Sequence, residues 1–433
     1  MTFGYSAILL PQLQSAENPE NTLSIDKEEA SWIASMAALP MAIGSAFGAL
    51  SIGKLGRKTA HSLSCIPTLI GWLLIGHSTG IQMILIGRFV TGFFAGYLAS
   101  ATGVYIGEIA DPKHRGFFLG GISISVSSGL FLCHLMGTFL TWRTTALLCA
   151  VLPLVSQLII VFVPESPWWL VDRDRPDEAE RAFYWCRGVT DESKKEFEAL
   201  LERRRGLDHT ESLRDALVPE FLKPLGIITV YIVANQWAGI NAITFYSITV
   251  MRETIGDGLN EYAAMLLVDF LRFFVSIAAC LQLRRFGRRP IALVSGVGTA
   301  VSLFTLSAYL YAVKSYPETK CRYIPIACLV LYMVFVTGGF VPLPWAMMGE
   351  LFPSKRRSLG SGVASFAAFS AFFSVVKTTP GMFERLGADG TFLVFGAVAL
   401  FGTGFVYACL PETKDRTLHD IEDGFKKRVG GKS

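Results

Sequence analysis

Long apolar stretches, separated by short polar segments, run through almost the whole chain. Each stretch is about 20 residues long, the length that a helix needs to cross the hydrocarbon core of a bilayer. Eleven of them follow one another, at 32–52, 62–79, 83–106, 117–140, 144–163, 224–249, 261–283, 290–312, 323–348, 358–380 and 391–410. Residues 1–13 are also apolar but too few to span. The pattern predicts an all-α protein that crosses a membrane many times.

Basic residues fall in alternate loops between these stretches. The short loops that are rich in lysine and arginine are 54–58, 113–115, 284–289 and 355–357. Because such residues concentrate on the cytoplasmic side, we expect a cytoplasmic C-terminus and an extracellular segment at 14–31. Residues 1–13 are then expected to form the outer half of a first helix, with its inner half missing from this sequence.

Three motifs occur twice in the same order, which indicates an internal duplication. The first copies are GKLGRK (53–58), GEIADPKHRG (107–116) and PESPWWL (164–170), and the second copies are RRFGRR (284–289), GELFPSKRRSLG (349–360) and PETKDRTL (411–418). The repeat predicts two pseudo-repeated six-helix halves. The expected domains are an N-terminal half with an incomplete helix 1 (1–163), a cytoplasmic linker of short amphipathic helices (164–223), a C-terminal half (224–410) and a cytoplasmic tail (411–433).

Composition and charge narrow the class of protein further. The 433 residues are 52% hydrophobic and 17% charged, whereas soluble domains carry about 25% charged residues. A soluble fold cannot bury that much apolar surface. The net charge is only +4, and its basic clusters lie between apolar runs, so we expect a lipid bilayer as partner and no nucleic acid.

Enzyme signatures are incomplete. GALSIGKL (48–55) has the spacing of a phosphate-binding loop, but it ends in Leu55, where such loops need a hydroxyl for magnesium. The sequence has no HExxH motif, and its six histidines are dispersed. We therefore expect a protein that is not an enzyme and binds neither cofactor nor metal.

Nine motifs together give a specific resemblance over nearly the whole chain. They are GYSAILLPQL, GKLGRK, GRFVTGFFAG, YIGEIADPKHRG, PESPWWL, NQWAGINAITFYS, RRFGRRP, VPLPWAMMGELFPSKRR and PETKDRTL. In these the chain resembles the sugar porter family of the major facilitator superfamily. SWIAS (31–35) is similar to the arthropod branch that includes facilitated trehalose transporters. The resemblance implies the major facilitator fold and a monomeric plasma-membrane carrier that moves a sugar, such as trehalose or a hexose, by alternating access.

Arginines and carboxylates recur at the predicted cytoplasmic helix ends of both halves. An arginine fork pairs well with a carboxylate, and the resemblance implies that such bridges hold the two halves together in the outward-open state. The alternative is that these charges only set topology. Gly53, Arg284 and Trp168 depart from the family pattern. These departures predict fewer ion pairs at the helix ends than family members usually have. The candidate gating residues are Arg57, Arg88, Glu108, Arg115, Glu165, Arg288, Glu350, Arg357 and Glu412.

The NQWAGIN motif supplies amides that suit a sugar. Asn235, Gln236 and Asn241 lie one or two helical turns apart, and amides both donate and accept hydrogen bonds, as sugar hydroxyls require. Trp345 follows Pro342 and Pro344, on a helix that these prolines can break, and offers an aromatic surface for the apolar face of a sugar. The resemblance places Gln236, Asn241 and Trp345 at substrate-contacting positions. The alternative is that buried amides merely bridge helices.

Other positions depart from the family pattern. The usual glutamine of helix 5 is Ser123, the usual asparagine of helix 8 is Arg272, and Ser6 stands where proton-coupled members have an aspartate. Serine cannot titrate, so uniport is favoured over symport. An arginine within the membrane is expensive and usually functional. Arg272 is expected either to pair with Asp269, which is slightly favoured, or to contact an anionic substrate.

These departures leave two alternatives to a sugar carrier. One is a sugar sensor or inactive paralogue that does not transport. The other is a carrier of a different, anionic small solute.

Overall fold

A computed structural model describes residues 1–14, 25–111, 115–205, 218–255, 260–316, 321, 323–352 and 357–414. All regular elements in these ranges are helical. The first seven helices form the N-terminal half: α1 (Tyr5–Gln14), α2 (Lys27–Ser35), α3 (Ala38–Leu55), α4 (Arg57–Gly76), α5 (Ile81–Ile109), α6 (Arg115–Phe139) and α7 (Trp142–Phe162). The linker helices are α8 (Pro167–Asp172), α9 (Pro176–Arg187) and α10 (Asp191–Arg205).

The C-terminal half contains the remaining helices. They are α11 (Pro219–Trp237), α12 (Ile240–Phe245), α13 (Ser247–Ile255), α14 (Glu261–Arg285), α15 (Arg288–Ser315), α16 (Tyr323–Phe335), a π-helical turn (Val336–Phe340), α17 (Pro342–Leu351) and α18 (Arg357–Cys409). α18 is interrupted at Gly387, whose φ of 72° and ψ of 175° are not helical. The interruption separates the two spans that the sequence predicts at 358–380 and 391–410.

Ten helical stretches of the described chain are long and apolar enough to cross a membrane. The last of them, Leu359–Cys409, holds two predicted spans on either side of Gly387. Large apolar side chains point outward from these helices, as Leu50, Phe139 and Phe162 do with 72%, 76% and 80% exposure. An apolar exterior of this extent fits a lipid environment. The predicted all-α, many-span fold is confirmed.

The most extensive contacts between the two halves are those of α3 with α18 and of α6 with α14. In the second pair, the hydroxyls of Ser127 and Ser276 lie 2.7 Å apart. The rings of Phe131 and Phe270 are 6.0 Å apart, centre to centre. The α6–α14 contact therefore carries both polar and aromatic packing between the halves.

The linker helices share a small apolar cluster of their own. Ala179, Phe183, Phe197 and Leu200 are buried in it, together with Leu170. These are positions at helical spacing in an otherwise charged segment, so the sequence pattern explains which faces pack together. Arg187 ties the cluster to the N-terminal half by donating to the carbonyl of Ala110 at 3.1 Å.

Candidate functional site

A break in the helix after α11 places two predicted amides beside each other. Gly239 has a φ of +91°, the left-handed region that favours glycine, and it separates α11 from α12. Gln236 lies before the break and Asn241 after it, and the Asn241 amide nitrogen donates to Gln236 Oε1. Gln236 is 5% exposed and Asn241 is half-buried. The break thus sets a pair of amides inside the C-terminal half.

Gly239→Ala is expected to destabilise the protein, because alanine in a left-handed conformation costs about 1–2 kcal/mol. The added Cβ would also lie 2.5 Å from the Phe395 ring. Gly226→Ala is the matched control, since no atom lies within 4 Å of its Cβ position in α11. The midpoint of thermal unfolding of the purified protein should fall for Gly239→Ala and not for Gly226→Ala. Equal midpoints for the two variants would contradict the assigned role of Gly239.

Asn235 makes a different kind of hydrogen bond from Gln236, the next residue in the motif. Its amide nitrogen donates to the carbonyl of Phe340 at 2.6 Å, and the Tyr231 hydroxyl donates to the same oxygen at 3.3 Å. Phe340 ends the π-helical turn, where the backbone pairing shifts by one residue and leaves a carbonyl available. Asn235 therefore bridges two helices, as the alternative interpretation of buried amides expects. Its Oδ1 is buried without a hydrogen-bond partner in the described structure.

Trp345 and Ser123 are both half-buried, on helices of opposite halves. Trp345 is half-buried on α17, which begins at Pro342, and its ring centre lies 5.8 Å from that of Phe369. Ser123 is half-buried on α6, and no hydrogen bond of its hydroxyl is found among the described residues. The substrate-contacting roles of Trp345 and Ser123 stay predictions.

Arg272 does not pair with Asp269, so the favoured expectation is wrong. The Asp269 carboxylate instead contacts Nδ1 of His134, which reaches it from α6 in the other half. Arg272 donates from Nη1 to the Thr244 hydroxyl at 2.9 Å, and its buried Nε has no partner in the described part of the chain. Side chains three apart on a helix can meet, but here the histidine of the opposite half occupies the carboxylate. Arg272 is left as a buried cation beside α12.

His134 is a site residue that the motifs do not identify, since the six histidines of the chain are dispersed. His134 is 0% exposed, and its Nε2 lies 3.0 Å from the carbonyl of Gly4, which immediately precedes α1. A signal was present, because His134 lies within the apolar stretch 117–140, where an ionisable residue is unusual.

Arg88 is buried far from the charged helix ends. It lies on α5 twenty residues before Glu108, about 30 Å along the helix axis. Its guanidinium donates to the Ser6 hydroxyl, to the carbonyl of Ala34 at 3.3 Å and to that of Thr2 at 3.2 Å. No carboxylate pairs with Arg88 among the described residues. The inclusion of Arg88 among the gating charges at the helix ends is therefore wrong, because its position joins α5 to α1 and α2.

The N-terminal charge cluster consists of Arg57, Glu108, Glu165 and Ser166. Arg57 Nη2 donates to Glu108 at 2.6 Å, and the Ser166 hydroxyl donates to the same carboxylate at 2.5 Å. Glu165 accepts the backbone N–H of Arg57 at 2.8 Å, at the start of α4. A carboxylate there satisfies helix N–H groups that have no partner within the helix and interacts favourably with the helix dipole. Trp168, which replaces a usual arginine, donates from Nε1 to the Glu108 carbonyl at 3.2 Å.

The C-terminal charge cluster repeats this arrangement with Arg288, Glu350, Glu412 and Thr413. Arg288 Nη2 and the Thr413 hydroxyl donate to Glu350 at 2.9 and 2.5 Å, and the Arg288 N–H donates to Glu412 at 2.9 Å. Burial works against ionisation of Glu412, yet four backbone N–H groups together hold the pKa of this carboxyl below its ordinary value. The sequence repeat is thus reproduced contact by contact.

Each of these described pairs joins helices of one half. Arg57–Glu108 connects α4 with α5, and Arg288–Glu350 connects α15 with α17. The expectation that these same pairs bridge the two halves is therefore corrected: they tie together the helix ends within a half. The side chains of Arg115 and Arg357, which were also predicted as gating charges, lie outside the described residues.

Comparison with known proteins gives a consistent result. The protein-family model described as "Sugar (and other) transporter" matches residues 2–425. The facilitated trehalose transporter Tret1 of Apis mellifera ligustica is 31% identical over 435 residues, covering 98% of this chain and 86% of the relative. Tret1 of Drosophila pseudoobscura pseudoobscura is 32% identical over 431 residues, but the chain spans only 49% of that relative.

Solved structures agree at the level of the fold. The proton:xylose symporter XylE bound to 6-bromo-6-deoxy-D-glucose superposes with a TM-score of 0.80 at 18% sequence identity, covering 98% of this chain and 96% of that one. The inward-open form of the xylose transporter XylE from E. coli gives a TM-score of 0.76, also at 18% identity. The chain therefore has the all-α fold of the major facilitator superfamily.

Proposed function

Since the chain belongs to the sugar transporter family, whose members are multi-pass membrane proteins, we propose that it is a facilitative carrier of trehalose or a hexose. The observation that carries the proposal is the Gln236–Asn241 pair at the break between α11 and α12. The two amides bond to each other, so a sugar hydroxyl can replace that bond without leaving a buried group unpaired. The similarity to trehalose transporters over 98% of the chain favours a disaccharide.

We further propose uniport. Ser6 hydrogen-bonds to Arg88, but a serine hydroxyl does not take up or release protons at physiological pH. Sugar should therefore move down its own gradient. The protein is proposed to act as a monomer in the plasma membrane with its C-terminus in the cytoplasm, as the distribution of basic loops favours.

Uptake of radiolabelled sugars into oocytes that express the protein tests both proposals. Trehalose or a hexose should equilibrate, and an inward proton gradient should not drive its accumulation above the external concentration. Water-injected oocytes provide the background. Surface-expressed protein without uptake of either sugar would instead support a sensor or inactive paralogue, and gradient-driven accumulation would exclude uniport.

Arg272 favours a second candidate, a carrier of an anionic solute. The Asp269 carboxylate contacts His134 instead of Arg272. Nη1 of Arg272 donates to Thr244 at 2.9 Å, but its buried Nε has no partner in the described structure. A substrate carboxylate or phosphate would satisfy that donor. Including gluconate and a sugar phosphate in the uptake panel decides between the candidates, since an anion carrier should move one of these and not trehalose.

A further inference from the structure

The contact between His134 and Asp269 lies at the interface of the two halves. His134 is on α6 and Asp269 is on α14, and the exposed fractions of the two residues are 0% and 4%. The Ser127–Ser276 and Phe131–Phe270 contacts belong to the same pair of helices. A buried polar contact at this place responds to any movement of one half against the other.

The surroundings of the imidazole ring call for two ring protons. Nδ1 faces the Asp269 carboxylate and Nε2 faces the Gly4 carbonyl at 3.0 Å, so both nitrogens lie against acceptors. A neutral imidazole donates from one nitrogen only. Both hydrogen bonds form when the His–Asp unit holds one proton more than a neutral histidine beside a carboxylate. The Gly4 carbonyl also accepts the backbone N–H of Ala7 at 3.1 Å. Without the extra proton, the lone pair of one buried ring nitrogen would face an oxygen acceptor with no hydrogen between them, which is costly.

Three other titratable or charged groups lie near this unit. Cys133 precedes His134 on α6 and acts on it electrostatically, and Arg272 lies near Asp269 on α14. Tyr332 approaches Arg272 from α16. The fixed positive charge of Arg272 opposes proton uptake by the His–Asp unit, whereas the two hydrogen bonds favour it. Proton affinity is therefore set by a balance that single substitutions can shift.

We propose that His134 and Asp269 form a proton-binding site that joins the two halves of the carrier. A bound proton completes the contacts among Gly4, α6 and α14 and stabilises the arrangement of the halves seen in this structure. Alternating access requires one half to rock against the other. A ligand that binds one arrangement more tightly shifts the equilibrium towards it, so the rate of exchange should depend on pH through this pair. The proton site goes beyond the proposed function, and its link to exchange rests on it.

Nitrogen-15 NMR of protein labelled at its histidine side chains, in lipid nanodiscs, tests the proton site directly. The resonances that vanish in His134→Gln identify the ring, and His61→Gln is the matched control, because His61 is also a helical histidine but bonds to Ser156 within one half at 2.8 Å. Both nitrogens of His134 should carry protons in mildly acidic solution, and one should lose its proton as the pH is raised. A ring that is neutral down to about pH 5 would overturn the site.

Substitutions of the neighbours should move this titration in opposite directions. Asp269→Asn removes the negative charge and should lower the midpoint by about one pH unit or more, a tenfold loss of proton affinity. Arg272→Asn removes the opposing positive charge and should raise it. Midpoints that stay within experimental error of the wild-type value in both variants would overturn the pairing of His134 with Asp269.

Sugar exchange in proteoliposomes tests the link between the halves. The exchange rate of the wild type and of His61→Gln should change on the order of tenfold between about pH 6 and pH 8, whereas His134→Gln should be insensitive to pH. A pH response that survives in His134→Gln would overturn the link. If the wild type exchanges no sugar at any pH, the proposed function fails, and the NMR titration still decides whether the proton site exists.

Discussion

Asp269→Ala should cost about 3–5 kcal/mol of folding free energy, because it removes the carboxylate from a buried charged contact. His134 would lose its partner across the halves, and the Arg272 cation would lose its nearby negative charge. The expected result is a large loss of folded protein at the cell surface and a lower midpoint of thermal unfolding in detergent.

Glu261→Ala on the same helix is the matched control for this change. Glu261 pairs with Arg252 at 2.9 Å, but the two side chains are 26% and 64% exposed, and exposed pairs contribute about 0–1 kcal/mol. Asp269→Ala should therefore be far more damaging than Glu261→Ala. Similar unfolding midpoints for the two variants would show that Asp269 does not carry a buried pair.

Glu108→Ala should cost about 3 kcal/mol, the second largest effect. It would leave Arg57, whose side chain is 13% exposed, without its carboxylate, and the Ser166 hydroxyl would lose its acceptor. Glu350→Ala should be milder, since the Arg288–Glu350 pair is more exposed, at 21% and 28%. The unfolding midpoint of each purified variant measures both effects.

The double variant Glu108→Ala with Glu350→Ala tests whether the two charge clusters stabilise the protein independently of each other. Because the described pairs lie within separate halves, the two losses should add to within about 0.5 kcal/mol. Glu178→Ala, in an exposed pair with Arg175 on the linker, is the control and should be nearly neutral. A coupling energy above about 1 kcal/mol would mean that the clusters interact across the halves after all.

Periodicity and length were enough to predict the helices, since each apolar stretch must become a helix to satisfy its backbone within a membrane. The repeat also predicted which residues form the charge clusters. It could not predict whether those charges pair within a half or across halves, because the spacing of a motif does not fix the partner of a long side chain. Arg57 and Glu108 show this most clearly.

The Asp269 carboxylate shows a second limit of sequence reasoning. Arg272 is three residues away on the same helix, which makes it the nearest partner by helical geometry. His134 is 135 positions distant along the chain, and only the packing of α6 on α14 brings it to Asp269. The amides at 235–241 were predictable as a group. Their separate hydrogen bonds were not, because Asn235 bonds to a carbonyl of the π-helical turn, whereas Gln236 and Asn241 bond to each other. No local sequence pattern predicts that turn.

Counterflow of radiolabelled trehalose and glucose in proteoliposomes is the most direct test of the carrier proposal. The wild type should exchange at least one of these sugars, and Gln236→Ala with Asn241→Ala should exchange it about tenfold more slowly or worse, since each lost hydrogen bond contributes about 0.5–1.5 kcal/mol. Gln157→Ala, an amide bonded to Ser62 in the other half at 2.8 Å, should match the wild type. A wild type that exchanges neither sugar, or a double variant as fast as the wild type, would contradict the account.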